Sequence, residues 1–104
     1  MIRLSGVISF LWDKGNLDKS YEKHGITPKE SEEIFLDESL QVISDVKHSQ
    51  TEDRFIAIGS SNRDEILFVV FTMRTKKIRI LSARKASKKE RRFYEQAIKK
   101  DSEV

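Results

Sequence analysis

Ile66-Leu67-Phe68-Val69-Val70-Phe71 is a run of six apolar residues with no polar alternation. Such a run marks a strand covered on both faces, and therefore a central one. Reading backwards, Ser60 to Glu65 is turn-forming, and Arg54 to Ser60 forms a strand with Phe55, Ile56 and Ile58 as its bulk. Leu40 to Asp45 reads as another strand, joined to it by the polar stretch Val46 to Asp53. Reading forwards, Arg74 to Lys77 is a hairpin turn, and Ile78 to Ala83 sets Ile78 and Ile80 against Arg79 and Leu81. Short connections join antiparallel neighbours, because a parallel crossover needs a dozen or more residues. The pattern predicts a four-stranded antiparallel meander.

Helical signals flank this sheet. Thr27-Pro28-Lys29-Glu30 is a capping box with proline at the first helical position. The helix it opens is expected to run to about Leu36, to bury Ile34 and Phe35, and to break at Asp37-Glu38-Ser39. Upstream, Asp13 to Lys23 reads as a helix with Leu17, Tyr21 and His24 on one face, and Gly25 as its C-cap. Ser5 to Phe10 is a poorly patterned short strand. Ser87-Lys88-Lys89-Glu90 is a second capping box, followed by a stripe of Phe93, Tyr94, Ala97 and Ile98. The expected class is α+β: N-terminal helices, a four-stranded antiparallel sheet and a C-terminal helix.

With 104 residues, 38% hydrophobic and 36% charged, the chain suits one domain over 1–104, its ordered core at about 10–100. There is no cysteine, which excludes disulfides and thiolate chemistry. No stretch approaches the ~20 apolar residues that span a bilayer. A cytoplasmic protein without membrane association is expected. The net charge is only +3, yet Arg74 to Arg92 holds ten Lys or Arg against one Glu, a local +9. Lys29 to Asp53 holds eight acidic residues against two basic ones, a local −6. Such concentration of positive charge indicates an anionic partner, nucleic acid first.

Several short pieces, in this order and spacing, resemble the BrnT family of type II toxins within the RelE-like ribonuclease superfamily. They are Trp12-Asp13, Lys23-His24-Gly25-Ile26, Phe35-Leu36-Asp37, Asp45, His48-Ser49 and Glu52 to Gly59. Phe71-Thr72 and Ile78 to Ala86 follow, with Glu90 and Tyr94, so that the likeness runs from about Phe10 to Tyr94. Gly15 departs from a continuous first helix, at a cost of ~1 kcal/mol relative to alanine. The resemblance implies a RelE-like fold and a metal-independent endoribonuclease that arrests translation. Its implied partners are an RNA substrate and a cognate BrnA-like antitoxin that binds DNA. The complex is expected on operator DNA, with a dimer of toxin–antitoxin pairs as one arrangement.

Metal-free RNA cleavage needs a proton acceptor for the ribose 2′-OH, stabilisation of the phosphorane, and a proton for the 5′-oxygen. Arginine suits the second task because its fork stays charged and binds phosphate bidentately. Arg79 and Arg84 are the leading catalytic candidates, with Arg54 beside them. Arg79 is expected on the sheet face opposite Ile78 and Ile80. Arg84 is expected just beyond the strand end, before a helix N-terminus that also attracts phosphate. Arg63, Lys85, Lys88, Arg91 and Arg92 are expected to bind or steer RNA. A single arginine is more often a solvated charge; the clustering favours function.

His24 is the chemically natural base, but it equally suits a packed or capping role. Lys23 or Glu52 can substitute, whereas His48 reads as a bystander. Trp12 and Tyr94 can stack on a base, although packing is their commoner fate. Two histidines without cysteine form no zinc signature, and neither a metal nor a cofactor is expected. Two rival readings remain at this level. One is a nucleic-acid-binding module without catalysis; the other is a protein-interaction module whose basic end docks an acidic partner.

Overall fold

The computed structural model describes residues 9–16, 19–48 and 52–102. Its helices are α1 (Lys19–His24), α2 (Pro28–Glu33) and α3 (Lys88–Ser102). Its strands are β1 (Gln41–Ser44), β2 (Arg54–Ser60), β3 (Ile66–Arg74) and β4 (Lys77–Lys85). Short 3₁₀ turns occupy Ile34–Leu36 and Val46–His48. The strands form one sheet in the order β1-β2-β3-β4, every pair antiparallel. This is the expected α+β meander, with β3 an inner strand; only its Leu67, Val69 and Phe71 face is buried, while Ile66, Phe68 and Val70 are half-buried, so the strand is not covered on both faces as the apolar run suggested.

Both capping boxes form. Thr27 Oγ1 accepts from the Glu30 amide at 3.1 Å, and Ser87 Oγ from the Glu90 amide at 3.2 Å. Gly25 ends α1 at φ +72°, a left-handed conformation that glycine adopts without a Cβ clash. The hairpin between β3 and β4 is tighter than expected. Only Thr75 and Lys76 lie between the strands, at φ +51° and +65°, as the primed turns of two-residue hairpins require.

One face of the sheet carries the main core: Val42, Ala57, Leu67, Val69, Phe71, Ile78, Ile80 and Ala83, joined by Ile26, Ile34 and Phe35. Phe10, Phe35, Phe71 and Phe55 form an aromatic chain through it, with centroids 5.5, 5.3 and 5.5 Å apart. The first two pairs are edge-to-face, an arrangement that adds roughly 0.5–1.5 kcal/mol each beyond burial. Gly59 lets the 3₁₀ turn approach the sheet, because a Cβ there would lie 3.2 Å from the Ile34 carbonyl oxygen.

The N-terminal region departs from expectation. Residues 13–16 form a turn, and the described helix begins at Lys19; Leu17 lies outside the described residues. Tyr21 and His24 are exposed rather than packed, and α1 buries none of its residues. The physical reason is the free edge of β4, whose unpaired backbone groups need partners. Leu11 N donates to Ile78 O and Ile78 N to Ser9 O, both at 2.8 Å. Asn16 Nδ2 donates to Ile80 O at 2.9 Å, and Ala83 N donates to Ser20 Oγ at 2.7 Å. The segment is thus held by polar contacts to a strand edge. Of the expected strand over Ser5 to Phe10, residues 5–8 lie outside the described residues, and Phe10 makes a single parallel bridge to Ile78. Among the described residues, no helix is long and apolar enough to cross a membrane.

Candidate functional site

Strand pairing lines up three rows on the sheet face opposite the main core. Arg54, Thr72 and Arg79 are cross-strand partners; so are Ile56, Val70 and Ser82; so are Ile58, Phe68 and Arg84. The last two rows depend on a β-bulge. Phe71 pairs with Ile80, but Val70 pairs with Ser82, leaving Leu81 as the extra residue. The bulge reverses the alternation along β4. Ile78 and Ile80 therefore share the core face with Ala83, while Arg79 shares the other face with Ser82 and Arg84. Arg84 lies inside β4, not beyond its end as the sequence suggested.

α3 packs against β2, and its first turn reaches this second face through Glu90, which pairs with Arg84. The rest of the face stays open as a cleft of about 410 Å³. Its floor is Ile56, Phe68, Val70, Leu81 and Ser82; Asp45 and Arg54 stand on the β1–β2 side, and Gly15, Asn16 and Lys19 on the β4 side. A largely apolar floor with one cation on each side, Arg54 beside Asp45 and Lys19 opposite, can take a nucleotide, whose base is apolar on its faces and whose phosphate is anionic; Arg79 lies buried at the edge of the cleft behind Gly15 and Asn16.

Arg79 is only 9% exposed. Its Nη1 donates to Asp13 Oδ2 at 2.6 Å and to Asn16 Oδ1 at 3.4 Å. Its Nη2 lies against Gly15, where a Cβ would come within 2.9 Å, and its buried Nε has no partner among the described residues. The turn at 13–16 is itself cross-braced: Gly15 N donates to Asp13 Oδ1 and Asp13 N to Asn16 Oδ1, each at 2.8 Å. The Arg79 hydrogen bond, aided by the Gly15 amide, holds the Asp13 carboxyl below the ordinary carboxylate range. The residue that seemed to spoil a helix is the one that makes room for the guanidinium.

Arg84 is engaged differently. Its two Nη atoms donate to the two carboxylate oxygens of Glu90 at 2.8 and 2.9 Å. Its guanidinium carbon sits 4.0 Å from the centroid of the Phe68 ring. The pairing lowers the Glu90 carboxyl, chiefly through the hydrogen bond from Arg84. A phosphate at Arg84 would have to displace Glu90. Arg79 and Arg84 share a face but stand four strand positions apart, about 13 Å. Arg54 and Arg79 are closer, two strand spacings apart at about 10 Å.

The remaining candidates are spread along the sheet. Lys23 follows Lys19 by four residues, so it lies on the same side of α1 one turn further on. His24 is exposed and is rotated about 140° from Lys19, away from the cleft. Glu52 is taken up by a bidentate pair with Arg74 at 3.2 and 2.9 Å, which lowers its carboxyl. Lys85 and Arg91 line a separate depression with Asp64, Glu65 and Glu95, and Lys85 Nζ lies 3.5 Å from Glu65. Arg63, Lys88 and Arg92 are exposed. The side chain of His48 lies outside the described residues.

Both aromatic stacking candidates pack instead. Trp12 lies against the core and donates through Nε1 to Glu32 at 2.6 Å. Tyr94 is buried and donates to Asp37; burial, then that hydrogen bond, raises its hydroxyl well above its ordinary value. Among the described residues, no three His, Asp or Glu side chains converge as metal ligands. Asp13, Asn16, Gly15 and Lys19 were assigned no chemical role in the sequence reading. The Trp12-Asp13 pair was the one signal that pointed near them.

A family model described as ribonuclease toxin, BrnT, of type II toxin–antitoxin systems matches residues 12–90. No curated protein matches the chain. The match spans the cleft, the N-terminal turn and Glu90.

Proposed function

This chain belongs to the BrnT family of ribonuclease toxins of type II toxin–antitoxin systems, and from that premise we propose that it cleaves RNA without a metal in the cleft on the open sheet face. Membership implies an antitoxin partner. The observation that carries the reading is the Arg54–Thr72–Arg79 row, with Arg79 held rigidly by Asp13, Asn16 and Gly15.

In this reading the RNA 2′-oxygen attacks the adjacent phosphorus as its proton passes to an acceptor. The bond from phosphorus to the 5′-oxygen breaks, and that oxygen takes up a proton. A 2′,3′-cyclic phosphate and a free 5′-hydroxyl result. Arg79 and Arg54 approach the phosphate from either side and stabilise the charge on the phosphorane. Arg79 is the better positioned of the two, because Asp13, Asn16 and Gly15 fix its guanidinium; a phosphate there has to share it with the Asp13 carboxylate. Proton transfer falls to the titratable groups of the wall, Lys19 and Asp45, with Lys23 one turn beyond. His24 faces away and is not assigned. Arg84 braces the floor by stacking on Phe68. Lys85, Lys88, Arg91, Arg92 and Arg63 attract the RNA. Cleaved messages arrest translation, and the antitoxin restrains the enzyme, in complexes that bind operator DNA, as a dimer of toxin–antitoxin pairs.

Arg79→Ala and Arg54→Ala are each expected to lower cleavage of a single-stranded RNA by about 10²–10³-fold in EDTA; the melting temperature is retained for Arg54→Ala and falls for Arg79→Ala, which loses the contacts to Asp13 and Asn16. Intact RNA with the wild-type protein, under conditions where it still binds, would favour the non-catalytic module. Recovery of cleavage only with added divalent ion would refute metal independence.

A further inference from the structure

The other side of the molecule carries a groove of about 360 Å³. Phe10, Phe35 and Leu36 form its apolar part, and Lys29, Glu32 and Glu33 its rim. The 3₁₀ turn that builds it closes with Asp37 N donating to Ile34 O, burying Ile34 and Phe35 while Leu36 is left 76% exposed. A leucine so exposed beside an apolar depression is a ready hydrophobic anchor point. The rim charges are fixed in place. Glu32 Oε2 accepts from Trp12 Nε1 at 2.6 Å, and Glu33 Oε1 accepts from Asn62 N at 3.1 Å. These carboxylates stand within the segment 29–53, which carries a local charge of −6. The turn packs on the sheet at Gly59, which alternation places on the core face with Ala57. Groove and cleft therefore lie on opposite faces.

We propose that this groove anchors the cognate antitoxin through a segment that presents a bulky apolar side chain with Lys or Arg beside it. The apolar residue fills the space against Phe10, Phe35 and Leu36, and the cation meets Glu32 and Glu33. The charge argues against RNA here, since a phosphate backbone would face fixed carboxylates. The inference rests on family membership and not on the catalytic assignment. Because the anchor is on the far face, antitoxin affinity and RNA cleavage are separable by mutation.

Titration of the full-length toxin with its co-encoded antitoxin tests this. Leu36→Asp and Glu33→Lys both fall at exposed or rim positions, so folding, checked by thermal melting, is expected to be retained. Each should weaken antitoxin binding by about tenfold or more, while the free variants cleave RNA within about twofold of wild type. Unchanged affinity in both variants would overturn the proposal. So would unchanged antitoxin affinity with loss of toxin self-association in Leu36→Asp, which would assign the groove to a second copy. If the wild-type protein failed to cleave RNA, the affinity change would still stand or fall by itself.

Discussion

Arg79 shows how a residue's type and its setting carry different information. That an arginine there could serve phosphate chemistry follows from its planar, permanently charged fork. That it is buried, gripped by Asp13 and fitted against Gly15 depends on residues 63 and more positions away in sequence. Gly15→Ala is an informative substitution for this reason. The new Cβ would lie 2.9 Å from Nη2, the far end of a flexible side chain, so the guanidinium can yield at little cost in stability. A displacement of the order of 1 Å costs up to about 100-fold in rate when a group must be well placed. Gly15→Ala should therefore lose at least about tenfold in cleavage with a nearly unchanged melt; an unchanged rate would show that the position of Arg79 is not critical. Arg84 makes the opposite point. It stood beside Arg79 as a leading candidate in the sequence, yet Glu90 and Phe68 occupy it.

At the scale of elements, the box opening α3 does two jobs with one carboxylate. Glu90 Oε1 accepts from the Ser87 amide at 2.7 Å, and the same side chain receives both Nη atoms of Arg84. The first helical turn is thereby tied to β4. Its folded pKa is depressed below the ordinary 4.5, so this contribution to stability is present above about pH 4.5 and is lost as the pH falls through the folded value. Thermal melts taken from neutral pH to about pH 3 should show a steeper acid loss for wild type than for Glu90→Gln. Identical pH dependence would show that the pair adds nothing. The strands, the hairpin and both capping boxes were legible because each is a local pattern of apolar runs, turn residues or a Ser/Thr–Glu spacing. The bulge between Val70 and Phe71 was not, because nothing local distinguishes Leu81 as an inserted residue. The first helix was over-extended for a related reason. Residues 13–16 obey the edge of β4, a partner remote in the chain, rather than their own helical periodicity.

Across the whole molecule, the proposed RNA cleft and the proposed antitoxin groove lie on opposite faces. Lys19, Arg54 and the basic start of α3 flank the open face, with Asp45 beside Arg54, and Glu32 and Glu33 rim the groove on the other. Lys88 and Arg92 are exposed, and in the proposed reading they attract RNA at a distance, so their joint replacement by Gln should flatten the salt dependence of RNA binding. For single-stranded RNA the slope of log K against log salt should fall by about 1.4, while turnover at saturating RNA holds. An unchanged slope would remove both residues from the RNA path. The sequence by itself determined the class of fold, the order of its elements and the kind of chemistry available. Apolar periodicity, caps and charge density are local properties of the chain. Only the tertiary structure decided which cations share a face. Strand register and a single bulge place Arg54, Arg79 and Arg84 on one face, and the N-terminal turn across the β4 edge selects Arg79 as the buried one. These outcomes depend on pairings between distant segments, which the free energy of the whole fold selects and no local pattern encodes.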